Sequence, residues 1–183
     1  MKTKAKVLTL ITGSMLATSV GFAAPLNDLA PGEATMGYSY YGMSHDTDNK
    51  SFYIEGAISD KLTIGFEHSN YSFSDYDDDG VNTNDVYAQY KLDPNVRLIL
   101  GNRNYDYGNQ SNKMFYGVGI TTNLAPRLNG YASVITNNYT TEWQAGANYQ
   151  LNQNLSLNVA YKNNKDDGDY TYDGLGVGLN YKF

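Results

Sequence analysis

The last nine residues read Leu175-Gly176-Val177-Gly178-Leu179-Asn180-Tyr181-Lys182-Phe183. Successive side chains of a β-strand point to opposite faces. As a strand, this segment puts Leu175, Val177, Leu179, Tyr181 and Phe183 on one face. Gly176, Gly178, Asn180 and Lys182 take the other. Such a strand needs an apolar surrounding on one side, either a buried core or lipid.

The same alternation recurs along the chain. It predicts strands near 33–43, 51–59, 61–71, 83–92, 96–105, 113–123, 128–137, 140–151, 155–163 and 170–183. Setting the parity of each by its apolar residues, the charges test the assignment. Glu55, Glu67, Asp85, Lys91, Arg97, Arg103, Glu142, Lys162 and Lys182 all fall on the opposite parity. A basic side chain facing lipid at mid-membrane costs about 2–4 kcal/mol. Uniform parity is what a membrane barrel requires. His68 and Asn102 share the outward parity, which places them near an interface or at a bulge.

Short connections near 59–61, 93–95, 124–127 and 152–154 alternate with longer or more polar ones at 44–50, 71–83, 105–113, 137–140 and 163–170. Pro94 and Pro126 sit in the short turns and interrupt no ladder. No mature segment is long and apolar enough for a membrane helix, and in lipid only helices and closed barrels satisfy every backbone polar group. The expected fold is all-β: a closed antiparallel up-and-down transmembrane barrel of about ten strands. Eight is the alternative, because the 137–140 connection is very short and the 128–137 pattern faint.

The N-terminus carries Lys2, Lys4 and Lys6, an apolar run from Val7 to Leu16, and small residues up to Ala23. This is the plan of a cleaved signal peptide. The expected division is 1–23 signal peptide, 24–32 periplasmic leader and 33–183 barrel. Losing three lysines and no acid takes the formal charge from −6 to −9. That excludes a basic nucleic-acid face. With no cysteine, the chain has neither disulfides nor thiolate chemistry.

A signal peptide together with a terminal alternating strand ending in Phe183 resembles the small Gram-negative outer-membrane β-barrels of the porin-like or OmpA/OmpX-like class. The resemblance covers nearly all of the mature chain. It implies an outer-membrane location, contact with lipid and lipopolysaccharide, and a monomer. It also implies that Leu175, Val177, Leu179, Tyr181 and Phe183 form the signal read by the barrel-assembly machinery.

The expected lumen lining is Tyr53, Glu55, Glu67, Tyr87, Lys91, Arg97, Arg103, Tyr131, Glu142 and Lys162. Lumen glycines at 37, 65, 101, 117, 119, 146, 176 and 178 either receive large side chains from across the barrel or leave a thin wet path. Barrels of about eight strands are filled by side chains and about sixteen leave a channel. Two readings stand: a plugged structural barrel, and a narrow porin-like channel for ions and small solutes. An alternative is adhesion or partner binding through acidic, Tyr- and Asn-rich external loops.

Asp75-Tyr76-Asp77-Asp78-Asp79-Gly80 opens like a calcium loop, but Val86 stands where the bidentate Glu belongs. Asp75, Asp77 and Asp79 are candidate ligands for a weak Ca²⁺ site. The competing reading is a solvated acidic loop. No other cofactor is expected. Neither His45, beside Ser44 and Asp46, nor His68, beside Ser69, has a spacing that builds a catalytic triad, so no enzyme is expected.

Overall fold

The computed structural model describes residues 24–73, 80–106, 111–166 and 170–183. Ten strands form one closed barrel. They are β1 (Ala34–Met43), β2 (Thr47–Ala57), β3 (Leu62–Phe73), β4 (Val81–Asp93), β5 (Val96–Asp106), β6 (Ser111–Ala125), β7 (Leu128–Thr136), β8 (Thr140–Gln150), β9 (Leu155–Asp166) and β10 (Thr171–Lys182). Each pairs antiparallel with its neighbour in sequence, and β1 closes on β10. This is the expected ten-strand up-and-down barrel, with no free edge left to solvate.

The seam is pinned at one end. Ala34 and Phe183 exchange both backbone hydrogen bonds, at 3.0 and 2.9 Å. Lys182 Nζ reaches Glu33 Oε1 at 2.9 Å. That side-chain bond, with a backbone N–H from Ala30, holds the Glu33 carboxyl below the usual carboxylate range.

Alternation builds the wall. Leu98, Leu100, Val86, Tyr116, Val177 and Leu179 are exposed on the outside. Leu175, Tyr181 and Phe183 stand on the same outer surface, and the last two rings stack with centroids 6.4 Å apart. A continuous apolar exterior on a closed barrel suits lipid and not water.

Strand ends differ from the sequence reading. The 44–50 connection shrinks to Ser44, His45 and Asp46, the last two with φ of 58° and 47°. Left-handed backbone is tolerated at His and Asp. At this same rim β9 runs to Asp166. Apolar alternation marks only the stretch in lipid, whereas the hydrogen-bonded ladder continues beyond it with polar outward residues. Asn104 Nδ2 donates to Asn112 Oδ1 at 3.1 Å, Asn70 Nδ2 to Asn82 Oδ1 at 2.8 Å, and Tyr40 Oη to Asp48 Oδ1 at 2.6 Å. His68 belongs to this belt, its Nδ1 2.9 Å from Asn84 Oδ1. The β3–β4 register runs unbroken through His68, and the β4–β5 register through Asn102, so no bulge places either. The bulges lie at the other end, at Lys91/Asp93 and Asn123/Ala125.

Candidate functional site: the barrel lumen

The interior is filled from the wall inward. Four lumen glycines each carry an aromatic ring from the residue directly opposite on the adjacent strand: Tyr53 lies over Gly37, Tyr87 over Gly65, Phe115 over Gly101 and Tyr41 over Gly176, while Tyr131 brings its hydroxyl to Gly146. The rings do not cross the lumen, contrary to the sequence-based expectation. Across a ladder the partner Cβ is only about 4.5–5.5 Å away. A ring laid flat there reaches the bare backbone of glycine before it reaches the opposite wall.

Above this aromatic layer, away from the termini, charges cross the barrel. Arg103, on β5, donates from Nε and Nη2 to the two Asp85 oxygens at 2.8 and 2.7 Å. Its remaining Nη1 pairs with Glu142 on β8. Lys162 Nζ on β9 is 4.0 Å from the other Glu142 oxygen. Lys162 also donates to Tyr71 Oη at 2.8 Å and Asn49 Oδ1 at 3.2 Å, on β3 and β2. The Arg103 guanidinium lies 5.7 Å from the Phe115 ring centre, and Lys162 Nζ 5.6 Å from that of Tyr41. These side chains are essentially inaccessible to solvent. Buried charges require such pairing and hydrogen bonding. The chain of contacts runs from β4 through β5, β8 and β9 to β2 and β3. It spans the lumen from one wall to the other.

Below, toward the termini, the segment from Ala24 to Leu29 enters the barrel, and Ala30, Pro31 and Gly32 are exposed at its rim. Leu26 and Leu29 are buried, and Leu26 fills the space over Gly119. Asn27 Nδ2 donates to Glu55 Oε1 at 2.8 Å, and its carbonyl accepts from Arg97 Nη1 at 2.6 Å. Glu55 also accepts from Gln89 Nε2 at 2.9 Å and from Tyr87 Oη at 3.2 Å. Asp28 pairs with Lys91 at 2.8 Å near the rim.

Beside the leader a polar vestibule of about 320 Å³ remains, lined by Thr121, Asn123, Asn129, Asn148, Gln150 and Asn180 among others. Its inner wall is an amide chain. Asn158 Nδ2 donates to Tyr131 Oη and to Asn148 Oδ1, both at 2.9 Å, and Asn180 Nδ2 to Asn148 Oδ1 at 2.9 Å.

All ten residues named as lumen lining face inward, with Lys91 the most accessible of them. Tyr41, Ile99, Phe115 and Ile135 are also buried in the interior and escaped sequence reasoning. Ser44 Oγ is engaged with Asp173 Oδ1 at 2.9 Å, and His45 packs edge-on against Tyr172. His68 faces outward, whereas Ser69 is buried in the lumen with Glu67 and Ser51. Asp75, Asp77 and Asp79 lie outside the described residues. No metal-ligating cluster occurs among the described residues.

No family model and no curated protein matches the chain. Among solved structures, the KdgM porin is 13% identical, with a TM-score of 0.51 over 81% of this chain and 99% of that one. The NanC porin is 10% identical, with a TM-score of 0.48 over 82% and 100%. The N-terminal β-barrel domain of Pseudomonas aeruginosa OprF is 12% identical, with a TM-score of 0.45 over 85% and 100%. The likeness to KdgM is one of architecture, and the fold of this chain is that of a small outer-membrane β-barrel.

Proposed function

We propose that this protein is an integral outer-membrane barrel that spans the bilayer closed, as a structural plug, with both termini on the periplasmic side. The observation that carries this reading is the Asp85–Arg103–Glu142–Lys162 chain across the lumen, backed by the leader below it. Water and ions would have to break several buried ion pairs at once to pass, and removing one partner of such a pair costs about 3–5 kcal/mol. The terminal strand ending in Phe183 serves assembly on this reading, and the polar Asn belt meets lipopolysaccharide headgroups. Liposome swelling tests the claim. Vesicles carrying the folded protein should swell in arabinose no faster than empty ones. Swelling that scales with protein content would return the barrel to the porins.

A second reading, partner binding at the external rim, is supported by Tyr139 and Tyr170, both exposed there at 48% and 63%. Tyr offers contact area at low entropy cost. Replacing both by Ser should abolish any surface binding that intact cells show. Retained binding would remove this reading.

A further inference from the structure

Ala24 lies at the centre of the barrel. Its backbone nitrogen is 3.0 Å from Glu67 Oε2 on β3, and its carbonyl accepts from Gln144 Nε2 on β8 at 2.9 Å. In a ten-strand ring β3 and β8 stand opposite each other. Ala24 therefore bridges the full width of the lumen, and all three residues are buried. This is also the first residue after the expected processing site at Ala23.

We infer that processing between Ala23 and Ala24 creates an α-ammonium that seats in the lumen as the counter-charge of Glu67, locking the leader in place as an inner plug. The inference rests on the exported-barrel reading above. In the covalent step a membrane signal peptidase adds water across the Ala23–Ala24 amide. Ala23 departs with the carboxylate. Ala24 keeps the nitrogen, which is protonated at neutral pH.

Charge and hydrogen bonding at this height both favour an ammonium over an amide. Among the described residues fully buried at this height, the acids are Glu67, Asp85 and Glu142, and the bases Arg103 and Lys162; Lys113, opposite Arg103 in register, is only half-buried and holds its Nζ 4.0 Å from the Tyr139 ring centre toward the rim. Asp85 is ion-paired with Arg103, and Glu142 with Arg103 and Lys162, whereas among the described residues Glu67 has no cation at ion-pair distance and accepts from the Ser69 hydroxyl at 2.9 Å and the Ala24 nitrogen at 3.0 Å. One more positive charge makes three against three. The lower layer already holds two acids and two bases: Asp28 pairs with Lys91 and Arg97, and Glu55 is joined to Arg97 through Gln89. A peptide N–H offers one proton and an ammonium three. A waiting acceptor is present: Gln144 Oε1 is buried without a hydrogen-bond partner, on the same amide whose nitrogen bonds Ala24. Pro25 follows, and having no N–H it adds no donor to satisfy.

The test uses protein purified from the outer membranes of expressing cells. Its intact mass should be that of residues 24–183. The folded protein is then exposed to an amine-acylating reagent, and labelling at Ala24 is compared with labelling at exposed Lys61 and with the urea-unfolded chain. Burial should slow Ala24 labelling by at least about tenfold relative to the unfolded chain, because reaction then waits for local opening. In Glu67→Gln the protection should fall and the melting midpoint drop by several degrees. A mature chain starting elsewhere would overturn the inference. So would Ala24 labelling as fast as Lys61 in the folded wild type, or full protection retained in folded Glu67→Gln. If Glu67→Gln does not fold, the wild-type mass and labelling decide. Swelling of vesicles made from the same preparation would count against the closed-barrel reading alone, because the amine is scored separately.

Discussion

The Tyr87 ring lies over Gly65, its direct partner across the β3–β4 ladder, and its hydroxyl donates to Glu55 at 3.2 Å. A methyl group on Gly65 would overlap the ring, which is itself buried. Gly65→Ala should destabilise the barrel by about 1–3 kcal/mol, the usual range for overpacking. Gly42 lies on the outer face with nothing within 4 Å of an added Cβ. Gly42→Ala should be neutral, or stabilising by roughly 0.4–1 kcal/mol through the unfolded state. Urea titrations of the two variants in detergent check the contrast, and equal losses would argue against ring-over-glycine packing.

The buried charge chain makes a larger claim. Glu142→Gln removes the acid shared by Arg103 and Lys162. Arg103 would keep Asp85, but Lys162 would lose its ion-pair partner, and the expected loss is about 3–5 kcal/mol. The exposed seam pair behaves oppositely. Lys182→Ala should cost less than about 1 kcal/mol, since half-exposed pairs are screened. Equal effects from the two substitutions, measured by heat-modified gel mobility, would contradict the burial assigned to each.

The seam also predicts a pH dependence. Glu33 titrates below its ordinary value because Lys182 and the Ala30 N–H favour the charged form. A lowered carboxyl pKa stabilises the fold above the unfolded-state value, and that contribution fades as pH falls through the folded one. In Glu33→Gln the midpoint should vary less between pH 3 and pH 5 than in the wild type. An unchanged pH profile would show that the contact adds nothing.

Lipid contact can be mapped on β5. Leu100 is 53% exposed on the outer wall, and Asn102, two residues further along the same face, pairs across from Val86 near the polar belt. Leu100→Lys should lose about 2–4 kcal/mol, and Asn102→Lys about 0–1 kcal/mol, because the penalty falls toward the interface. Folding equilibria in lipid vesicles measure both, and a reversed order would move the membrane edge.

Much of this was legible before the structure. Parity alone put Glu55, Glu67, Asp85, Arg97, Arg103, Glu142 and Lys162 inside, because a charge on the wrong face is too costly in lipid. Strand ends were less legible. Alternation fades where the outward face meets headgroups, as at Asp48, Asn70 and Asn104, although backbone pairing continues there. The glycine–aromatic contacts were misjudged because they depend on inter-strand register, which one strand's pattern does not carry. Phe115 and Tyr41 face inward by the same parity that puts Tyr116 and Tyr40 outside, but their ring-over-glycine seats follow only from register. The leader, short and containing two prolines, gave no periodic pattern, so its insertion became visible only through the partners of Asn27, Asp28 and Ala24.

A closed lumen carries no ions, and single-channel recording reads this without an intermediary. Mature protein, shown to be folded by its heat-modified mobility, is inserted into a planar bilayer in potassium chloride. The baseline should stay silent at moderate voltage. Steady current steps of one reproducible size would contradict it.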